Sequence, residues 1–239
     1  MYGSHFNPYT WDTIDQTADH LHWASSEKWS DTKKGVRDHG KGSDATSKAG
    51  GGHAHCGFMI YQGDNWPDEF RNRAFTLNFH GRRINQEMLV REGNSFVGKH
   101  APDMFQSADP WFRGLELTYG PDGAVYVLDW SDIGECHDHD GIHRTSGRIF
   151  KISFGKPDKP EFGDLREKTD GELVDLLSHK NAWLQRMAQK LLASRMRKAK
   201  KKGIGASEFQ AELLKKVLSK ETSVRSRLAL LWTLYGFRQ

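Results

Sequence analysis

Two histidines and a cysteine stand among glycines in the segment Gly51-Gly-His-Ala-His-Cys-Gly57. Imidazole and thiol are the side chains most used for proton transfer and metal ligation, and glycine lets the backbone approach a ligand closely. In a strand, positions 53 and 55 lie on the same face, about 6–7 Å apart. We therefore predict His53 and His55 as catalytic residues. A structural pair of histidines bonded to the backbone is the alternative.

A second donor-rich segment begins at Asp129-Trp-Ser-Asp132 and continues through Glu135-Cys-His-Asp-His-Asp140. Its carboxylate and imidazole groups are donors found in calcium and zinc sites. The spacing matches neither an EF-hand loop nor an HExxH helix, so the sequence does not specify the metal. A solvated polar loop between strands is the alternative. The predicted metal ligands are Asp129, Asp132, His137, Asp138 and His139.

Cationic side chains form a third group of candidate site residues. The planar guanidinium of arginine makes paired hydrogen bonds to carboxylate or quinone oxygens. Arg113 follows Asp109-Pro-Trp-Phe112, whose aromatic rings suit stacking on a sugar or a planar cofactor. Salt bridges within the fold are the alternative role. The predicted cofactor-binding residues are Arg82, Arg83, Asn85, Arg113 and Trp130.

Residues 57–154 must position these groups, and their pattern predicts β-structure. Phe75, Leu77 and Phe79 alternate with polar residues, as in a half-buried strand. Further strands are predicted at 82–90, 115–119, 124–129 and 147–154, and Gly120-Pro-Asp-Gly123 has the residue types of a tight turn. Pro-Asp and Gly-Arg pairs recur at offsets of 121 − 67 = 54 and 147 − 81 = 66. These offsets favour propeller blades with loop insertions over a sandwich.

The pattern changes to helical periodicity after Pro157 and Pro160. Thr169-Asp-Gly-Glu172 is a capping box, and Asn181, Ser207 and Ser223 are predicted to begin three later helices. A succession of amphipathic helices predicts the beginning of an α-solenoid. The buried stripe of the second helix is predicted at Leu184, Met187, Ala188, Leu191 and Leu192, and that of the last helix at Leu228, Leu231, Trp232 and Tyr235.

Charge and cysteine content limit the classes of function. Residues 1–154 carry 16 Lys+Arg and 21 Asp+Glu, a net charge of −5, whereas residues 155–239 carry 19 and 10, a net charge of +9. No aromatic residues interleave with the lysines of Arg197-Lys-Ala-Lys-Lys-Lys202, so nucleic-acid binding is not predicted. No apolar run reaches the roughly 18 residues of a membrane helix. Cys56 and Cys136 form no CxxC or haem-attachment motif, and they are predicted as either one disulfide or two buried thiols.

Several uncommon peptides occur together in this chain in a fixed order. They include the glycine-rich segment at 51–57, Gly63-Asp-Asn-Trp-Pro-Asp-Glu69, His80-Gly-Arg-Arg-Ile-Asn85, the stretch 119–130, and Arg144-Thr-Ser-Gly-Arg-Ile-Phe-Lys151. On these residues the chain resembles the bacterial membrane-bound dehydrogenase family over residues 10–235. Members of that family combine a glucose/sorbosone dehydrogenase-like β-propeller with HEAT-like repeats and often a c-type cytochrome domain.

The resemblance implies a mainly β chain followed by α. Residues 1–154 would form the last blades of a partial β-propeller, residues 155–168 a linker, and residues 169–239 HEAT-like helical repeats. In related sugar dehydrogenases, pyrroloquinoline quinone (PQQ) and calcium bind at the top of the propeller, and a histidine accepts the proton of the substrate hydroxyl. PQQ, calcium and a sugar or polyol substrate are therefore expected here.

The resemblance also implies a c-type cytochrome as the electron acceptor and a periplasmic or cell-envelope location. No haem motif occurs in this chain, so the cytochrome would be another domain or protein. Because the resemblance covers only the last blades, this fragment alone is expected to be inactive. The alternative is a non-catalytic carbohydrate- or protein-binding scaffold, for which Trp66, Trp111 and Trp130 would supply aromatic contacts.

Overall fold

The structure is a computed structural model of the 239-residue chain. It describes residues 55–79, 81–132, 145–156, 162–202, 213, 215–216, 219 and 223–236. The chain divides into two compact units. The first contains the described residues of Met1–Tyr61, Pro67–Thr118 and Val125–Ser153, and the second those of Gln62–Trp66, Tyr119–Ala124 and Phe154–Gln239.

Four antiparallel strands form the first sheet, and their order in space follows their order in the chain. They are β1 (His55–Ile60), β2 (Ala74–Asn78), β3 (Arg83–Glu92) and β4 (Ser95–Gln106), with a short 3-10 turn at Asp68–Phe70 before β2. One face of this sheet is apolar because Phe75, Leu77 and Ile84 alternate with polar residues and are fully buried. This face supplies the core of the first unit.

The second sheet contains β5 (Gly114–Tyr119), β6 (Val125–Asp129) and β7 (Arg148–Ile152) in that order. The Phe112 ring joins the two sheets, with its centroid 5.5 Å from that of Phe105 and 6.1 Å from that of Phe150. Val125 and Val127 face the core, whereas their neighbour Leu128 is exposed. The alternation places Leu128, Trp130 and Ile149 on the solvent-facing side of this sheet.

Two predictions about the strands were wrong or incomplete. We expected β2 to be half-buried, but every residue from Ala74 to Asn78 is buried. The side of β2 that carries Thr76 and Asn78 is polar, as the sequence pattern predicted. It is nevertheless buried, whereas the pattern predicted that it would face solvent. Strand β4 was not predicted at all, because Gly98, Pro102 and charged residues interrupt its apolar pattern.

Two glycines allow turns that other residues would strain. Gly57 has a φ of +59° where the pairing of β1 with β2 shifts register, and a Cβ there would lie 2.9 Å from Leu117 Cδ2. Gly123 has a φ of +70° and closes the predicted turn, with its N–H donating to the Gly120 carbonyl at 3.0 Å. Both positions use conformations that glycine adopts without steric cost.

The described part of the second unit includes the helices α1 (Asp170–Leu176), α2 (Ala182–Lys201) and α3 (Val224–Gly236). The predicted capping box is confirmed, because Thr169 Oγ1 accepts from the Glu172 N–H and the Glu172 carboxylate accepts from the Thr169 N–H at 2.8 Å. Asn181 caps α2 through the Trp183 N–H at 2.9 Å, and Ser223 Oγ accepts from the Ser226 N–H at 3.1 Å. The start predicted at Ser207 lies outside the described residues.

The helices enclose a small apolar core, and α3 faces it with an unexpected side. The predicted stripe of α2 is largely confirmed, since Leu184, Ala188 and Leu192 are buried. The predicted stripe of α3 was wrong: its members Leu228, Leu231, Trp232 and Tyr235 are 47–65% exposed. The buried residues of α3 are instead Ser226, Ala229, Leu230 and Thr233. Small side chains on this face let α3 approach α2 closely, and Gln189 Nε2 donates to the Ala229 carbonyl at 2.9 Å.

Strands precede helices along the chain, so the prediction of β-structure followed by α-structure is confirmed at that level. Among the helices that the structure describes, none combines the length and apolar character that crossing a bilayer requires.

Candidate functional site

The polar face of the first sheet is the most concentrated group of buried polar side chains in the first unit. Opposed residues in antiparallel strands share a face, and the pairs His55–Asn78, Asn78–Arg83, Thr76–Asn85 and Glu87–His100 are in register. The face is buried even though it is polar, which requires internal hydrogen bonds. We define the polar face by the residues His55, Thr76, Asn78, Arg83, Asn85, Glu87, His100 and Asp103.

His100 lies between two carboxylates on this face. Its Nδ1 is 3.0 Å from Glu87 Oε1, and its Nε2 is 3.8 Å from Asp103 Oδ1. If Nδ1 carries the proton and donates to Glu87, a neutral ring presents Nε2 as an acceptor toward a second acceptor. Two acceptors face each other stably when a proton or a bound donor lies between them. The arrangement therefore suits either an imidazolium or a hydroxyl donor at this position.

Arg83 supplies the positive charge on the same face. Its Nε lies 3.4 Å from Asp103 Oδ2, and its side chain is almost completely buried. Burial lowers the pKa of Arg83 because desolvation disfavours the cation, and the nearby Asp103 carboxylate opposes that shift. Arg83, Asp103, His100 and Glu87 thus form a continuous chain of charged or titratable groups along β3 and β4.

Amides and a hydroxyl complete the polar face. Asn78 Nδ2 donates to Asn85 Oδ1 at 3.3 Å, and Asn78 Oδ1 accepts from the Gly81 N–H at 2.9 Å. Thr76 stands opposite Asn85, but its Oγ1 is buried and has no hydrogen-bond partner among the described residues. A buried hydroxyl without a partner costs about 1–3 kcal/mol. Thr76 therefore marks a position where an additional polar group would be stabilised.

Asp129 organises a second polar cluster at the end of β6. Its Oδ1 accepts from the Arg113 N–H at 2.7 Å and from the Ser131 N–H at 3.0 Å. Its Oδ2 accepts from Arg148 Nε at 2.7 Å, and Arg148 Nη2 lies 2.7 Å from the same oxygen. A carboxylate has about four acceptor positions, and three of them accept hydrogen bonds here. Through these hydrogen bonds, Asp129 links β6 to β7 and to the segment before β5.

Arg148 connects this cluster to Asp109. Arg148 Nη1 lies 2.7 Å from Asp109 Oδ2, and the Trp111 N–H donates to Asp109 Oδ1 at 2.9 Å. The Trp111 N–H, followed by the Arg148 hydrogen bond, lowers the pKa of Asp109. Partial desolvation disfavours the Arg148 cation, but hydrogen bonds to Asp109 and Asp129 outweigh it and raise the pKa of Arg148.

The remaining predicted site residues also have internal partners. Arg113 Nη1 donates to the carbonyls of Pro110 and Phe112 at 2.9 Å each, and its guanidinium lies 5.9 Å from the centroid of the Phe79 ring. The exposed Trp130 indole donates its Nε1–H to Asp132 Oδ2 at 3.1 Å. These contacts fix the conformation of the segments around β5 and β6.

The structure distributes the predicted residues over these two clusters. His55, Arg83 and Asn85 lie on the polar face, whereas Arg113, Asp129, Trp130 and Asp132 surround the end of β6. Arg82 lies in the turn before β3 with a φ of +53°. The other predicted residues, His53, His137, Asp138 and His139, lie outside the described residues.

Sequence reasoning missed several residues of the polar face. Glu87, His100 and Asp103 were overlooked because β4 was not predicted, so nothing indicated that they face β3. Thr76 and Asn78 were assigned to a solvent-facing side. The alternation of Thr76 and Asn78 with apolar residues, matched by Arg83, Asn85 and Glu87 on β3, was the available signal.

Cys56 lies next to the polar face but on the opposite side of β1. Burial, followed by repulsion from the Glu116 carboxylate, raises the pKa of the Cys56 thiol. A raised pKa disfavours the thiolate, which is the form that ligates metals and acts as a nucleophile. Cys136 lies outside the described residues, so the choice between a disulfide and two thiols stays a prediction.

Within the described ranges, no group of three or more His, Cys, Asp or Glu side chains is arranged to hold a metal ion. Arg113 and Asp129 use their side chains in internal hydrogen bonds, and Arg83 is paired with Asp103. The predicted binding of PQQ and calcium stays a prediction.

Comparison with known proteins places the chain in a family. Residues 11–153 match the family model described as a domain of unknown function, DUF7133. The chain belongs to the DUF7133 family. The match in this DUF7133 member includes the strands β1 to β7 that the structure describes and ends before α1. No curated protein and no solved structure matches the chain.

Proposed function

We propose that residues 1–154 of this DUF7133 member form the last blades of a β-propeller and that residues 169–239 are HEAT-like helical repeats after a linker at 155–168. Two features support this architecture. The first sheet has four antiparallel strands in sequential order, which is the arrangement of a propeller blade. Its apolar face packs on the second sheet through Phe105 and Phe112, as neighbouring blades would.

We further propose that the complete protein is a sugar or polyol dehydrogenase of the quinoprotein type in the periplasm or cell envelope, passing electrons to a c-type cytochrome. The observation that supports this proposal is the polar face, where His100 on β4 stands between Glu87 and Asp103 and the buried Thr76 hydroxyl lies on β2 opposite Asn85. Hydroxyl groups of a sugar both donate and accept hydrogen bonds, as this mixture of side chains requires.

In this proposal the chain binds and orients the substrate hydroxyl. Glu87 holds His100 through Nδ1, so that Nε2 can accept a hydroxyl proton in the space shared with Asp103. Asn85 and Thr76 would receive neighbouring hydroxyls of the same substrate. The quinone would accept the hydride, and residues beyond the described clusters would hold it.

The test is to supply the complete protein with PQQ and calcium and to follow reduction of a redox dye with a panel of aldoses and polyols. Binding of the same sugars is measured in parallel by calorimetry. We expect His100→Gln to reduce both dye reduction and sugar binding at least tenfold, because it removes the imidazole that accepts the proton of the substrate hydroxyl. Lys99→Gln is the matched control, since Lys99 is exposed beside His100 on β4. Absence of both dye reduction and sugar binding would overturn the proposal.

A second candidate function is a non-catalytic carbohydrate- or protein-binding scaffold. The observation that favours it is that Asp129 and Arg113 use their side chains in hydrogen bonds within the protein, so fewer side chains are available to bind a cofactor. The exposed Trp130 ring would then be a contact surface for a sugar or a protein. The same experiment separates the two candidates, because a scaffold would bind sugars without reducing the dye.

A further inference from the structure

Helix α3 presents an apolar stripe to solvent on the side opposite its buried face. We define the outer seam as Val224, Leu228, Leu231, Trp232 and Tyr235, all of which are largely exposed. At about 100° per residue, the centre of the outer seam lies about 180° from the centre of the buried face. α3 thus has a buried side of small and apolar residues and an exposed side that is apolar throughout, whereas a helix that covers a core on one side usually exposes polar residues on the other.

The spacing of the outer seam matches the packing of one helix against another. Val224, Leu228, Leu231 and Tyr235 are separated by four, three and four residues, which is the alternation used by knobs-into-holes packing, and Trp232 follows Leu231 directly. On α2, Leu191 and Leu192 follow Ala188 by three and four residues and pack into the core of the same unit. The outer seam therefore repeats a spacing that already serves helix packing in this unit.

The outer seam has a short length and is flanked by basic residues. The seam spans 12 residues, about 18 Å of helix, and the Trp232 and Tyr235 rings meet edge to face with centroids 6.1 Å apart. Arg225 and Arg227 lie on its two flanks near the start of α3, and α3 contains no acidic residue. Residues 155–239 carry 19 Lys+Arg against 10 Asp+Glu, a net charge of +9.

We infer that the outer seam docks an amphipathic helix of a partner protein that carries an aliphatic stripe with acidic residues on its flanks. The aliphatic stripe would fill the space between Leu228 and Leu231, and the acidic flanks would complement the positive charge of this part of the chain. A membrane surface is less well matched, because recognition of anionic lipid usually takes a cluster of four to eight basic residues and α3 has two.

The test uses two synthetic helical peptides of three heptads with identical leucine positions. One has glutamate at the flanking positions and the other has lysine. We expect the glutamate peptide to bind at least tenfold more tightly, to lose affinity as salt is raised, and to shift the fluorescence of Trp232, with Trp232→Phe identifying that signal. Leu228→Asp should weaken binding at least tenfold.

Ser178→Asp is the matched control, because it introduces the same charge at an exposed position of the second unit away from the outer seam. Circular dichroism shows whether each variant keeps its helices. Sedimentation of the protein alone and its binding to anionic vesicles complete the test. The inference is overturned if neither peptide binds, or if Leu228→Asp and Ser178→Asp reduce peptide binding equally. It is also overturned if the protein alone forms a dimer that Leu228→Asp abolishes, or if the protein binds vesicles and neither peptide.

Discussion

The first unit contains two groups of buried carboxylates whose hydrogen-bonding partners differ. The Asp129 carboxylate accepts hydrogen bonds from two backbone N–H donors and from Arg148 Nε, so both of its oxygens are satisfied. On the polar face, His100 lies between Glu87 and Asp103, Asp103 also pairs with Arg83, and the Thr76 hydroxyl has no partner among the described residues. We call the first the closed group and the second, which contains this hydroxyl, the open group.

This difference separates a structural role from a binding role. A carboxylate whose acceptor positions are occupied stabilises the fold, and it could bind a metal or a substrate only by giving up those partners. A group with an unsatisfied buried hydroxyl is less stable until a water molecule or a ligand supplies the missing hydrogen bond. The comparison therefore argues for the polar face as the functional site and for Asp129 as its support.

The largest expected effect is on the closed group. Asp129→Asn should lower the free energy of unfolding by about 3 kcal/mol, because it leaves Arg148 and two backbone N–H donors poorly matched in a buried position. Urea denaturation at pH 7 measures the change. Asp109→Asn is the control, since Asp109 shares Arg148 but its side chain is 38% exposed, and its effect should stay below about 1 kcal/mol. Equal effects of the two substitutions would remove the distinction between a buried and an exposed partner of Arg148.

The open group is tested by removing the hydroxyl that has no partner. Thr76→Val replaces a buried hydroxyl by a methyl group of similar size on a β-strand, so it should raise the free energy of unfolding by about 1 kcal/mol. The same variant should bind sugars more weakly if the hydroxyl contacts the ligand. Thr76→Ser is the control, because it keeps the hydroxyl and removes the methyl group. A loss of stability in Thr76→Val would mean that the hydroxyl is satisfied and that the polar face is closed as well.

The sequence predicted most of the strands, the turn at Gly120–Gly123 and the first residues of the helices, because these depend on local periodicity and capping. It did not predict β4, whose residues 98–103 lack alternation, and for that reason it missed His100 and Asp103. Burial of a polar face depends on what covers it, which no local pattern records. The reversed orientation of α3 has the same origin: both of its sides are apolar or small, so periodicity could not choose between them.

The smallest expected effect concerns the acid sensitivity of Asp109. Its pKa in the folded protein is lowered, first by the Trp111 N–H and then by Arg148, whereas the unfolded chain has a pKa of about 3.9. A lowered folded-state pKa means that the ionised carboxylate stabilises the fold above about pH 4, and that this contribution is lost as the pH falls through the folded-state value. Asp109→Asn removes the titration, so the variant should be slightly less stable than the wild type at pH 6, by under about 1 kcal/mol, and the difference should shrink as the pH falls below about 4. Urea denaturation of both proteins across this range measures it. A difference that stays constant with pH would show that Asp109 acts through shape and neutral hydrogen bonding, and Asp129 would then be the carboxylate that provides the charge for Arg148.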